Sequence, residues 1–256
     1  MENYAKMQGK HILITGATAG IGRETAVMLS SLGAKAALVG RRGEKLEETL
    51  SMMAGDGHSA HIIDVSKIDE LENRIKEMIR ETGPFDGFVH SAGIVKNLPV
   101  ANFKYERLHE IMLTNFYSFY EIIRILSRKG RYREGFSAVG ISSVAATNGA
   151  SAQSAYAASK AAMNGAMRCL AKELGPKGIR VNTVLPAATD TEMYSTYLSL
   201  KADMKDTELK KEANPRQYLG MNSPSDVANA IIFLLSPLSG KITGVQLPVD
   251  GGFTSC

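Results

Sequence analysis

The chain has 256 residues, 44% hydrophobic and 22% charged, which is enough for one α/β domain with a large core. Its formal net charge of +4 is too small and too evenly spread to mark a nucleic-acid surface. Two cysteines, Cys169 and Cys256, make neither a disulfide framework nor a zinc site, no apolar stretch is long enough to span a membrane, and polar residues 1–10 lack a signal-peptide core, so the expectation is a cytoplasmic chain without a metal.

Residues 11–15 (HILIT) read as a buried strand, followed by a glycine-rich turn and a helix to about residue 32. Residues 35–39 form a second strand, with a charged helix over 44–53. A short strand at 61–63 precedes a helix over 68–80, and 85–90 is the fourth strand. A long helix is expected over 105–127, then a strand at 137–141 and a helix over 155–174. Residues 180–185 make the sixth strand, 224–235 a helix and 245–249 the last strand. Strands alternating with helices through short connections predict a doubly wound (Rossmann) α/β fold with a parallel sheet of about seven strands. All 256 residues read as one domain, with 187–221 as a substrate lid inserted between a strand end and the next helix. Met193, Tyr194, Tyr197, Leu198, Leu200 and Met204 in that lid either line an apolar pocket or pack it onto the body.

The turn Thr15-Gly16-Ala17-Thr18-Ala19-Gly20-Ile21-Gly22 follows the first strand and opens the first helix. Glycines let the backbone approach a pyrophosphate, and the helix N-terminus offers unpaired N–H groups and a positive dipole end. The second strand ends in Val39-Gly40-Arg41-Arg42. An acid there would hold the ribose 2′-hydroxyl of NAD; Arg41 and Arg42 can instead face the 2′-phosphate of NADP(H), or stand as solvated loop charges. Asp64 and Val65, after the third strand, either flank the adenine or, for Asp64, serve the start of the next helix.

Tyr156 and Lys160 lie four apart on one helix face, where an ammonium is expected to lower the phenol pKa and fit it for acid/base work. Ser143 ends the fifth strand, 13 residues before Tyr156, where it can bond a substrate oxygen or cap a helix. Its neighbour Ser142 reads as a local structural residue.

The Thr15–Gly22 turn together with Asn115, Ser143, Tyr156 and Lys160 resembles the short-chain dehydrogenase/reductase family. The likeness continues through Arg180-Val181-Asn182, Pro186, Thr191, Ile242-Thr243-Gly244 and Val249-Asp250-Gly251-Gly252, so it spans essentially the whole chain. Within the family it is similar to the compact, NADP-preferring enzymes of the bacterial 3-oxoacyl-carrier-protein reductase type. The resemblance implies that Tyr156 is the acid/base, that Ser143 orients a carbonyl, that Lys160 tunes Tyr156 and holds the nicotinamide ribose, and that Asn115 supports a water-linked proton relay. It implies a cofactor site formed by Gly16, Thr18, Ala19, Gly20, Ile21, Gly22, Arg41, Arg42, Asp64, Val65, Ser91, Ala92, Gly93, Tyr156, Lys160, Pro186, Thr189 and Thr191. It further implies a homotetramer, in keeping with long helices at 105–127 and 155–174 that carry apolar residues on more than one face.

Three positions depart from the family pattern. His90-Ser91-Ala92-Gly93 stands where Asn-Asn-Ala-Gly is common, and His90 reads as a hydrogen-bonded core histidine. Pro186-Ala187 replaces Pro-Gly, and Ala19 stands where NADP-preferring relatives carry a basic residue. The substrate is expected to be a small ketone or alcohol: a 3-oxoacyl chain on a carrier protein, a steroid or bile-acid ketone, or a sugar intermediate. A catalytically silent NADP(H)-binding sensor or scaffold is the alternative.

Overall fold

The computed structural model describes residues 5–196 and 216–255. Seven strands form one sheet: β1 (His11–Thr15), β2 (Lys35–Gly40), β3 (Ser59–Ile62), β4 (Phe85–His90), β5 (Tyr132–Ile141), β6 (Arg180–Pro186) and β7 (Gln246–Val249). Their order is β3-β2-β1-β4-β5-β6-β7, and every pairing is parallel. The helices are α1 (Gly20–Ser31), α2 (Gly43–Ser51), α3 (Ile68–Thr82), α4 (Tyr105–Met112), α5 (Ser118–Leu126), α6 (Ala145–Asn148), α7 (Ser154–Leu174) and α8 (Pro224–Leu235). This is the doubly wound sheet expected from the alternation of apolar runs and amphipathic stretches.

Both sheet faces are covered, which is why the strands read as unbroken apolar runs. Side chains alternate across the sheet. Leu13, Phe88, Ala138 and Val181 pack with Phe119 of α5 and Met163 and Leu170 of α7 on one face. Ile12, Ile14, Val89, Val139 and Val184 pack with Leu29 of α1 and Ile231 of α8 on the other. Among the described residues no helix is long and apolar enough to cross a membrane.

The segment Arg180-Val181-Asn182 has a structural task. Arg180 donates to the carbonyls of Leu235, Ser236 and Ile242, and Asn182 donates to Ile242 O and accepts from Val245 N. Together they bind the C-terminal end of α8 and the entry to β7 onto β6. At its other end α8 carries a capping box between Ser223 and Asp226, with Pro224 in the first turn.

Several boundaries differ from the expected ones. β5 starts at Tyr132 rather than residue 137, because Tyr132 pairs with Phe85 before the register shifts at Gly87. β3 begins at Ser59 rather than residue 61. A short helix, α6, lies between β5 and α7. The expected continuous helix at 105–127 is α4 and α5 joined by a π-helical turn, Leu113–Tyr117.

Strand order reverses between β1 and β4, so their carboxyl ends diverge and leave a crevice between them. The glycine turn after β1 and Ser91–Gly93 after β4 border that crevice.

Candidate active site and cofactor cleft

The glycine turn is packed too tightly for larger residues. Gly16 has φ +70°, and a Cβ there would lie 2.5 Å from Ala92 N. A Cβ on Gly22 would lie 2.4 Å from Gly16 O. The turn is therefore pressed against the end of β4, as Ser91 N donating to Thr15 O also requires. Arg23 fixes its shape, donating to Thr18 O at 2.6 Å and to Thr49 Oγ1 at 3.1 Å, while Thr49 donates to Ala17 O at 2.8 Å. The N-cap of α1, Ala19, provides no side-chain acceptor, and the first turn has no acidic residue. Gly20, Ile21 and Gly22 thus open a helix whose positive end is left for an anion.

The chain beyond β6 comes back over this turn. A Cβ on Gly20 would stand 3.1 Å from Thr191 Cγ2. Thr189 donates to Ala187 O and bridges to Asn222; Thr191 donates to Thr189 O and accepts from Tyr194 N. The ends of the expected lid are stitched to the sheet: Gln217 donates to Ala188 O and Asn222 donates to Val249 O. Tyr197, Leu198, Leu200 and Met204 lie outside the described residues.

At the end of β2, Arg41 and Arg42 are exposed. Arg42 donates to Thr18 Oγ1 at 3.1 Å and ion-pairs with Glu192 at 3.6 Å. The Arg42 guanidinium therefore stands beside the glycine turn, while the charge of Arg41 is felt at Asp64. Asp64 accepts from the backbone and hydroxyl of Ser66. Desolvation works to raise the Asp64 carboxyl, but the Ser66 hydrogen bonds and the charge of Arg41 outweigh it and hold it below its ordinary value. Val65 is buried beside it.

The second cluster lies beyond the carboxyl ends of β4, β5 and β6. Ser142 N donates to Val184 O and Val144 N to Pro186 O, so the residue between them, Ser143, is held by β6. Ser142 Oγ donates to Lys160 O, a contact to α7 across 18 residues rather than the local cap expected of it. Ser143 Oγ accepts from Ala145 N and is hydrogen-bonded to the Tyr156 phenol. One helical turn on, Lys160 is only 4% exposed and donates from Nζ to Ile141 O at 2.7 Å. A Cβ on Gly93 would lie 3.5 Å from both Lys160 Nζ and Asn115 Oδ1, so β4, α7 and the π turn converge there.

The electrostatics correct one expectation. Lys160 does not lower the Tyr156 pKa here. Desolvation raises the phenol, partly offset by the Ser143 hydrogen bond. Burial pushes Lys160 down to about 7, and its Nζ stands 5.8 Å from the Tyr156 ring centroid. Four-residue spacing brings the two groups together, but low polarity around both opposes charge on either.

Asn115 is fully buried in the π turn. Its Oδ1 accepts from Ile94 N at 2.8 Å; its Nδ2 donates to Ile94 O at 3.0 Å and Ser159 Oγ at 2.9 Å. The side chain thus clamps the loop after β4 to α7. His90 is a core histidine, as its apolar setting suggested. Its Nδ1 bonds Thr15 Oγ1 at 3.0 Å, its ring packs near Phe88 and Phe119, and burial pushes its pKa down to about 3. Sequence reasoning missed Arg23 as the brace of the turn. It follows Gly22 directly, yet nothing in its position distinguishes it from a solvated helix charge.

The family model described as enoyl-(acyl carrier protein) reductase matches residues 16–254. The chain belongs to the short-chain dehydrogenase/reductase family. This is a family of oxidoreductases, and the match covers β2 to β7 and both clusters. The chain is 33% identical over 246 residues to the 3-oxoacyl-(acyl-carrier-protein) reductase of Chlamydia trachomatis serovar D, covering 95% of this chain and 96% of that one. It is 35% identical to 2,3-dihydro-2,3-dihydroxybenzoate dehydrogenase of Bacillus subtilis, with 98% of each covered. Among solved structures, a Brucella melitensis 3-ketoacyl-(acyl-carrier-protein) reductase complexed with NADH superposes with TM-score 0.83 at 28% identity, covering 97% of this chain and all of that one. Levodione reductase superposes with TM-score 0.87 at 27% identity, covering 97% and 99%.

Proposed function

We propose that this short-chain dehydrogenase/reductase is a single catalytic domain that moves a hydride between NADP(H) and a small ketone or secondary alcohol. The observation that carries the reading is the hydrogen-bonded Ser143–Tyr156 pair beside the buried Lys160, at the carboxyl ends of β4 to β6.

The chain's own residues fit a dinucleotide. Gly16, Thr18, Ala19, Gly20, Ile21 and Gly22 present uncapped N–H groups to the pyrophosphate. Arg41 and Arg42 take the 2′-phosphate, Asp64 and Val65 border the adenine, and Ser91, Ala92 and Gly93 line the ribose path. Pro186, Thr189 and Thr191 cover the nicotinamide end, and Lys160 donates to its ribose. When bound, the reduced nicotinamide supplies the hydride.

Ser143 Oγ and the Tyr156 phenol both donate to the substrate carbonyl. As negative charge develops on that oxygen, Tyr156 gives it a proton; in the reverse direction the phenolate takes the alcohol proton. The phenol carries its proton at neutral pH, as the first direction requires, although its raised pKa makes it a weaker acid than a free phenol. Ser143 steadies the developing charge. Asn115 holds the β4 loop and the π turn in the shape that a water-linked relay from Lys160 needs, since its own amide is spent on Ile94 and Ser159.

The relatives include reductases of carrier-bound 3-oxoacyl chains and a dehydrogenase of a dihydrodiol, so the substrate class is wide. The test is absorbance of NADPH against a panel of ketones and of NADP+ against the matching alcohols, with NADH and NAD+ alongside. Turnover with NADPH preferred supports the reading. Tighter NADH binding, or an Arg41→Ala variant that loses less than about tenfold in NADPH affinity, rejects the cofactor assignment. Cofactor binding without turnover on any member favours a sensor.

A further inference from the structure

Arg42 is held from two directions. Its guanidinium donates to Thr18 Oγ1 of the glycine turn at 3.1 Å. The same group lies 3.6 Å from the carboxylate of Glu192, on the segment beyond β6. Among the described residues Glu192 pairs with no other cation.

The packing beneath fixes where this pair sits. A Cβ on Gly40 would lie 2.5 Å from Thr18 Cγ2, so the end of β2 presses on the turn. A Cβ on Gly20 would lie 3.1 Å from Thr191 Cγ2, so the residue before Glu192 presses on the same turn two positions further on. The ion pair therefore links β2 to the segment after β6 across Thr18–Gly20, where α1 begins with its N–H groups uncapped. It adds little as a brace, because the Arg42 side chain is 51% and the Glu192 side chain 62% exposed. Both charges stay open to a ligand that enters beside Thr18.

The other charges near the turn are already committed. Arg23 is spent on Thr18 O and Glu48. Asp64, which feels Arg41, is tied to Ser66 N and Oγ. Glu192 is the acid that has to yield when a second anion approaches Arg42. A phosphate monoester carries roughly −2 charge at neutral pH and cannot share one guanidinium with a carboxylate without repulsion. A ribose 2′-hydroxyl is uncharged and leaves the pair intact.

We propose that Glu192 is a specificity-determining residue for the cofactor: it competes with a 2′-phosphate for Arg42 and so holds down the preference for NADP(H) over NAD(H). The inference rests on the dinucleotide reading above, in which Arg42 helps to take that phosphate. Selectivity is then set by a repulsive element as well as an attractive one.

The experiment measures dissociation constants by titration calorimetry for NADPH, NADH, adenosine 2′,5′-bisphosphate and AMP, in about 0.1 M and about 1 M salt. The last two ligands lack nicotinamide, so their binding is independent of catalysis. Glu192→Gln should tighten NADPH and the bisphosphate about two- to fivefold and leave NADH and AMP unchanged. The gain should shrink toward none in high salt and in an Arg42→Gln background. A gain below about 1.5-fold, an equal gain for NADH, or a gain undiminished without Arg42 or at high salt overturns the proposal. The cofactor reading fails separately. Wild type that binds NADH more tightly rejects the NADP(H) assignment, yet the proposal stands if Glu192→Gln still narrows the gap. Wild type that binds none of the four ligands overturns both.

Discussion

Tyr156 and Lys160 sit in one low-polarity spot, which raises the phenol and lowers the ammonium. Tyr156→Phe keeps the ring and removes the proton donor. Its kcat should fall about 10²–10⁴-fold while NADPH affinity survives. Stopped-flow rates decide this; more than a tenth of wild-type kcat, with hydride transfer shown to be rate-limiting, rules Tyr156 out as the acid. Lys160 gives a stability prediction whose sign follows from its shift. Its pKa is about 7 in the fold against an ordinary value of 10.5. Between those values the unfolded chain holds the proton and the folded chain releases it, so wild-type stability falls as pH drops from about 10 to 7 and is level below. Lys160→Met lacks this term. The melting temperature of the variant minus that of wild type should grow as pH falls from 9.5 to 7 and flatten below 7. A difference independent of pH would show that the ammonium is hydrated. The same variant should lose both turnover and NADPH affinity.

At the scale of elements, the π turn Leu113–Tyr117 is the departure that matters. It inserts one residue's worth of slack between α4 and α5 and turns the fully buried Asn115 onto the loop after β4. One side chain then satisfies both backbone groups of Ile94 and the hydroxyl of Ser159. Asn115→Leu leaves those three groups without this partner, at about 1–3 kcal/mol for each that stays buried and unpaired. The expected result is a lower melting temperature and faster amide exchange at Ile94, while Ile12 to Ile14 in β1 stay protected. Exchange at Ile94 equal to wild type would mean that the loop is held by other contacts, such as Leu98 N to Ala152 O.

For the whole molecule, the parallel sheet is sealed on both faces, yet α4 and the π turn leave aromatic surface outside. Tyr105 is 71% exposed and stacks on His109, which meets Tyr117 edge-on; Tyr120 is exposed one turn further. A groove of about 920 Å³ lies beside them, with Leu113, Phe116, Tyr117 and Tyr120 on one side and the charged start of α3, Lys67, Asp69 and Glu70, on the other. Exposed aromatic surface of this kind favours cover by another copy. The expected state is a homotetramer, measured by light scattering at micromolar concentration. Tyr117→Glu with Tyr120→Glu should shift it toward smaller species. A monomeric wild type would refute the assembly.

Fold and site were unequally legible in the residue string, and the division has a physical cause. Strand and helix identity, the parallel sheet, the glycine turn and the Tyr156–Lys160 pairing all arise from neighbours within a few residues. Apolar period, glycine content and four-residue spacing act locally, so they can be seen before folding. Only packing decided that Lys160 is buried against Ile141 O and that the Tyr156 phenol is itself desolvated, and that desolvation reversed the expected direction of the Tyr156 shift. Packing alone broke the 105–127 helix at Asn115, because the partner that rewards the break, Ile94, lies 21 residues away. The same holds for His90 on Thr15, 75 residues apart, and for Arg23 on Thr49, 26 apart. Desolvation is the sum of whatever surrounds a group, and most of what surrounds these groups comes from other strands. Asn97 is the extreme case: in the chain it is one polar residue in a mostly apolar loop, and only the folded molecule leaves its amide enclosed and unpaired.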